Sequence, residues 1–168
     1  MRLKAMIASL AICTASVAAA EEFTLEPTDF DGAFARVRDS ATQGCWTNIG
    51  EATTYANDQM AIAGFEIVEA RQKAEFVEAM IKDNTLIMTI SVQARRLENG
   101  LCIGSIVTYM MGAVLSRKYP AWNYTTTIGQ PMHWSVSSND NLNHHVLDQI
   151  KRFVTGWVEL HRTLVRLE

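Results

Sequence analysis

Apolar positions recur along this chain with two periods, one helical and one extended, and the change from one to the other divides it into elements. Phe30, Phe34 and Val37 are spaced i, i+4, i+7, and Ile49, Ala52, Ala56, Met60 and Ala63 form a second stripe. Both spacings lay apolar side chains along one face of a helix, so residues 28–64 are predicted to be a helical region. Gly44 and Gly50 are placed to divide it. Asn48, with Glu51 three residues on, forms a capping signature for the second helix, and Gly64 stands where a C-terminal cap is needed. Phe65 to Glu69 then alternates apolar and polar and reads as a short strand. Residues 71–82 fit helix or strand, with their Ala, Glu, Lys and Gln content tilting toward helix.

The clearest alternation follows. Leu86, Met88, Ile90, Val92 and Ala94 interleave with Ile87, Thr89, Ser91, Gln93 and Arg95, the pattern of a half-buried strand. Asn99-Gly100 is a hairpin signal, because these two residues tolerate the positive φ of a type I′ turn. Leu101 to Met111 is the returning strand. A two-residue loop sets Glu98 opposite Leu101 and Val92 opposite Val107, with Cys102 on the face away from Val92. A three-residue loop with a bulge at Gly100 exchanges the faces and puts Cys102 with Val92 and Ile106. If the first helix covers the Val92 face, either the bulged form or a bridge at the sheet's margin is required.

Tyr124 to Ile128 and Met132 to Val136 are β-prone on either side of Gly129 and Pro131, giving two short strands or one bent strand. Ser138-Asn139-Asp140 supplies capping residues for a last, long helix. In it Val146, Ile150, Phe153, Trp157, Leu160 and Leu164 recur at spacings of three and four. The expected fold is α+β: an antiparallel sheet with a central hairpin (85–112), N-terminal helices, and a long C-terminal helix packed on the sheet. Nothing in the composition marks a boundary within residues 21–168, which are expected to form a single domain.

Residues 1–20 belong to none of this pattern. Arg2 and Lys4 precede an uncharged segment from Ala5 to Val17, and Ala18-Ala19-Ala20 precedes Glu21, the three-part layout of a secretory signal with cleavage near Ala20. Loss of that segment removes two of the 15 Lys and Arg, leaving 13 against 18 Asp and Glu, a formal charge of about −5. An acidic balance of this size argues against a nucleic-acid partner. Cys13 leaves with the signal, so Cys45 and Cys102 remain as a pair in an oxidising compartment, where a disulfide is the expected state. Leu10-Ala11-Ile12-Cys13 offers an alternative, a lipidated Cys13, against which stands bulky Ile12. Residues 99–116 carry no charge, yet their glycines and polar residues leave too short an apolar run to span a bilayer, so no transmembrane helix is expected in the mature chain.

The search for chemistry yields no enzyme signature, and no catalytic residue or cofactor is assigned. The weak metal candidates are His133, His144 and His145; His161 lies sixteen residues beyond His145, about 24 Å along the helix, and cannot share a site with the His144–His145 pair. Met110 and Met111, as strand neighbours, face opposite ways and suit core packing better than copper ligation. Trp122, Tyr124, Trp134 and Trp157 are the candidate residues for a ligand or partner surface. Asn123-Tyr124-Thr125 matches a glycosylation sequon, accidental in a protein with a bacterial type of signal. The function these features favour is that of a periplasmic or secreted binding or accessory protein of a bacterial envelope, non-enzymatic, with a protein or envelope-component partner. The alternatives are a carrier of a small apolar ligand, with a pocket near Trp134 and Trp157, and a hydrolase with a dispersed acid/base site.

Overall fold

The computed structural model describes residues 26–69, 83–115 and 123–165. The signal segment with Cys13, the stretch 71–82 and Trp122 lie outside the described residues. Four strands form one mixed sheet in the order β1-β2-β3-β4, with β1 at Gly32–Ala41, β2 at Thr85–Arg96, β3 at Cys102–Leu115 and β4 at Asn123–Ser138. Among the described residues two α-helices accompany it, α1 at Ile49–Ile62 and α2 at Asn143–Val165. The class is α+β.

The N-terminal region corrects the helical expectation. Residues 32–41 are not a helix but an edge strand, parallel to β2 with Gly32 opposite Thr85 and Ala41 opposite Ala94. The sheet is therefore mixed rather than antiparallel. Residues 33–38 in fact alternate: Ala33, Ala35 and Val37 align with Leu86, Met88 and Ile90 on one face, while Phe34, Arg36 and Arg38 align with Ile87, Thr89 and Ser91 on the other. Small Ala33 and Ala35 suit a strand covered closely by a helix, since α1 turns its own Ala52 and Ala56 into the same core. A parallel pair needs a crossover connection, and α1 lies within it.

Helix α1 follows its predicted stripe: Ala52, Ala56 and Met60 are fully buried. Its end is a Schellman motif, with the Gly64 N–H donating to the Ala61 carbonyl and the Phe65 N–H to the Met60 carbonyl, at Gly64 φ +101°. Its start departs from the expected cap. The Asn48 side chain bonds Glu51 Oε2 at 2.9 Å and accepts the Trp46 indole N–H at 2.8 Å, and makes no bond to the helix backbone. The Phe65 to Glu69 segment forms one parallel bridge, Ile67 to Ala33, on the outer side of β1. Farther along that edge the Ala35 N–H donates to Asn57 Oδ1 at 2.7 Å, so a helix side chain satisfies a strand amide that would otherwise be orphaned. Asn57→Ala is expected to lower stability by about 1–2 kcal/mol by leaving that buried N–H unmet; a urea midpoint equal to the parent's would contradict it.

At the hairpin the bulged register is the one adopted. Val92 pairs with Ile106 and Arg96 with Cys102, and the loop is the three residues Glu98, Asn99 and Gly100. The Gly100 N–H donates to the Leu97 carbonyl and the Leu97 N–H to the Leu101 carbonyl. Only Gly100 takes positive φ, +85°, so the loop is not the type I′ turn that Asn99-Gly100 suggests. This register carries Cys102 onto the helix-bearing face, where it is bonded to Cys45 with Cα atoms 5.6 Å apart. Strand β4 is continuous and irregular at its middle: Met132 pairs with Thr108 and Ile128 with Met110, so three residues ending at Pro131 oppose one of β3.

Both helices lie on the face carrying Ala33, Met88, Ile90, Val92 and Ile106, with α2 against β3 and β4 and α1 against β1 and α2. Val146, Ile150, Phe153 and Trp157 of α2 point into this core as predicted, and they are joined by Gln149, 1% exposed. The Gln149 amide donates to the Met132 carbonyl at 3.4 Å while its Oε1 has no partner. Replacing it with Met is therefore expected to leave stability unchanged or raise it by about 1 kcal/mol; thermal unfolding checks this, and a fall of 2 kcal/mol or more would show the amide to be structurally required.

Candidate functional site

The β4–α2 seam places an aromatic ring at the surface beside a guanidinium and two imidazoles. Trp134, on β4 opposite Ile106, projects toward the helix-bearing face at the sheet's edge and is half-buried. From α2, the Arg152 guanidinium lies 5.0 Å over its ring and His145 meets it edge-on at 6.4 Å between centroids. His144 lies 6.2 Å from His145 and is exposed. Helical spacing explains the grouping, since residues 145, 148 and 152 are separated by three and four and share one face. Asp148 completes the row, accepting from Arg152 Nε at 2.9 Å. That pair is largely solvent-exposed and stabilises little, but it holds the guanidinium where it stacks on Trp134. Met132, two residues before Trp134 on the same face, is one of two large apolar side chains exposed among the described residues.

The sequence candidates thus separate. Trp134, His144 and His145 are brought together. His133 is exposed but, as the strand neighbour of Trp134, projects from the opposite face, opposite Val107. Trp157 is a core residue, 6% exposed with its ring 5.0 Å from Phe65. Tyr124 lies in β4 opposite Val114. Among the described residues no group of three His, Cys, Asp or Glu is placed to hold a metal ion. Met110 is fully buried in the core and Met111 packs on Phe34 and Ile87 across the sheet. Arg152 and Met132 escaped the sequence reading, although Arg152 lies seven residues beyond His145 and was legible as its neighbour.

At the hairpin end a second constellation holds loops together. The Arg96 guanidinium donates to the carbonyls of Gly100 at 2.7 Å, Asp140 at 2.8 Å, Gln43 at 3.2 Å and Gly44 at 3.5 Å. Beside it the Leu142 N–H donates to the Cys45 carbonyl at 2.7 Å, and Thr47 and Asn143 exchange two hydrogen bonds. The disulfide and Arg96 therefore fix the start of α2, and with it the position of His145 and Arg152, relative to the sheet. This junction is structural: its donors are engaged by backbone carbonyls.

No family model and no curated protein matches this chain. Among solved structures, it is similar to the PelC dodecamer from Paraburkholderia phytofirmans. A point variant in space group C2 gives a TM-score of 0.47 at 12% identity, covering 81% of this chain and 93% of that one. The space group P6 form gives 0.44 at 13% identity, covering 80% and 90%. At this degree of likeness neither the assembly nor any ligand of those proteins transfers to the present chain.

No helix among the described residues is long and apolar enough to cross a membrane. The fully buried Cys45–Cys102 disulfide is consistent with a periplasmic or secreted protein.

Proposed function

We propose that the protein is an exported, non-enzymatic binding or accessory protein of the bacterial envelope that engages a protein partner through the β4–α2 seam. The observation carrying this reading is the surface grouping of Trp134, Arg152, His144, His145 and exposed Met132 on a rigid strand and helix. Trp, Arg and Met are residue types enriched at protein interfaces, and a large aromatic anchor beside a guanidinium is the composition of an energetic hot spot. Export is supported by the signal-like residues 1–20 and by the disulfide. The carrier alternative finds no support in the packing, since Trp157 belongs to the core that includes Ile106, Met110, Ile150 and Phe153.

A photo-crosslinking residue at exposed His144, in protein expressed with its signal segment, is expected to give a discrete adduct in envelope preparations. The same residue at Asp58, exposed on α1, is expected to give none. Trp134→Ala and Arg152→Ala are each expected to reduce the adduct about tenfold or more, the effect of losing a hot-spot contact, with the melting temperature little changed. A protein that remains uncrosslinked and monomeric at every concentration would overturn the reading.

A further inference from the structure

The sheet's other face has a different chemistry. At the hairpin end the side turned away from α1 and α2 carries an open trough of about 730 Å³ that crosses all four strands, lined by Ser40 of β1, Gln93 and Arg95 of β2, Ile103 and Ser105 of β3, and Ser135 of β4. Arg38 stands next to it on β1, two residues before Ser40 and on the same side, and is exposed, as is Arg95. The strands themselves contain a single carboxylate, Asp39. It aligns with Val92 on the helix-bearing face and accepts the Ala41 N–H at 2.8 Å. All the charge that the four strands present on the face turned away from α1 and α2 is thus cationic, in a chain whose formal net charge is −3.

From this asymmetry we infer that the trough binds an acidic polysaccharide, with Arg38 and Arg95 taking the carboxylates and the serine, threonine and glutamine side chains the sugar hydroxyls. Guanidinium groups match carboxylate geometry with paired donors. Ser40, Thr42, Gln93, Ser105 and Ser135 supply a row of short polar groups, each able both to donate and to accept, which suits a hydroxyl-rich ligand. Four strands at about 4.8 Å spacing make a floor roughly 14 Å wide, room for a few sugar rings. Among the described side chains this face shows no large exposed apolar residue of the kind a bilayer contact requires: the two that are exposed are Ile62 on α1 and Met132 on the helix-bearing side of β4. This site lies on the opposite side of the sheet from Trp134 and is independent of the partner surface proposed there.

The test uses the full chain with its disulfide formed and measures retention on polygalacturonate, on its methyl ester and on phosphatidylglycerol vesicles. Binding is expected to polygalacturonate alone, and to weaken as salt is raised. Arg38→Gln combined with Arg95→Gln is expected to weaken it tenfold or more with an unchanged melting temperature, while Lys151→Gln, on exposed α2 surface, leaves it as it was. Absence of binding, equal binding to the methyl ester, a preference for vesicles, self-association through this face, or binding indifferent to both arginines would each overturn the inference.

Discussion

Unfolding of the Cys45→Ala/Cys102→Ala protein is expected at a stability about 3–4 kcal/mol below the parent, the largest loss from any change considered. The two cysteines are 57 residues apart, and closing a loop of that length removes about 4 kcal/mol of denatured-state entropy in the chain model. Both positions are fully buried, so the substitution also leaves small voids. In a chain of this size the loss corresponds to a melting temperature roughly 10 °C lower. Denaturant titrations of the oxidised, reduced and double-alanine forms would measure it. If reduced and oxidised proteins unfold at one midpoint, the bridge is thermodynamically idle.

Gly104→Ala is expected to cost about 2–3 kcal/mol. A Cβ at this position would collide with the Gln93 carbonyl oxygen and stand 2.7 Å from the Ala94 Cβ, and neither is the end of a flexible side chain that could swing away. Strands β2 and β3 must separate locally or the ladder must shift, in a core that resists added volume. The displacement falls two residues from Cys102 and at the rim of the trough, so binding there is expected to weaken with it. The control is Gly156→Ala, on exposed α2 surface with nothing within 4 Å of the added carbon; it is expected to stabilise by about 1 kcal/mol through helix propensity. Equal melting temperatures for the Gly104→Ala protein and its parent would show that the two strands tolerate separation.

Periodicity disclosed α1, the β2–β3 pair and the face of α2 because each has a wide apolar stripe confronting one layer. It failed at β1. There Phe30, Phe34 and Val37 mimic a helical stripe, yet Phe34 belongs to the far face of the sheet, packed against Ile87. The signal that identifies the strand is the alternation of Ala33, Ala35 and Val37 with Phe34, Arg36 and Arg38, muted because alanine carries little β preference. The hairpin register was open because Asn99-Gly100 fits two loops, and the pairing of Cys102 with Cys45 selects between them. Of the candidate site, the aromatic and histidine components were legible singly. Their convergence was not, since it depends on how the start of α2 is held by Arg96 and by Cys45, contacts between residues far apart in sequence.

The parallel placement of β1 also sets an order of assembly. The β2–β3 pair closes over three residues, whereas Gly32 meets Thr85 across 53 positions, a contact with a far greater loop-closure cost. Before β1 docks, β2 is an edge strand, and Thr85 to Ile90, buried throughout in the folded chain, is an apolar ribbon with unpaired amides. Such a ribbon is the segment through which partly folded chains join one another. Cys45 follows the end of β1 by four residues, so its bond to Cys102 keeps the missing strand tethered beside the vacancy, and the covalent link guards against aggregation as well as unfolding.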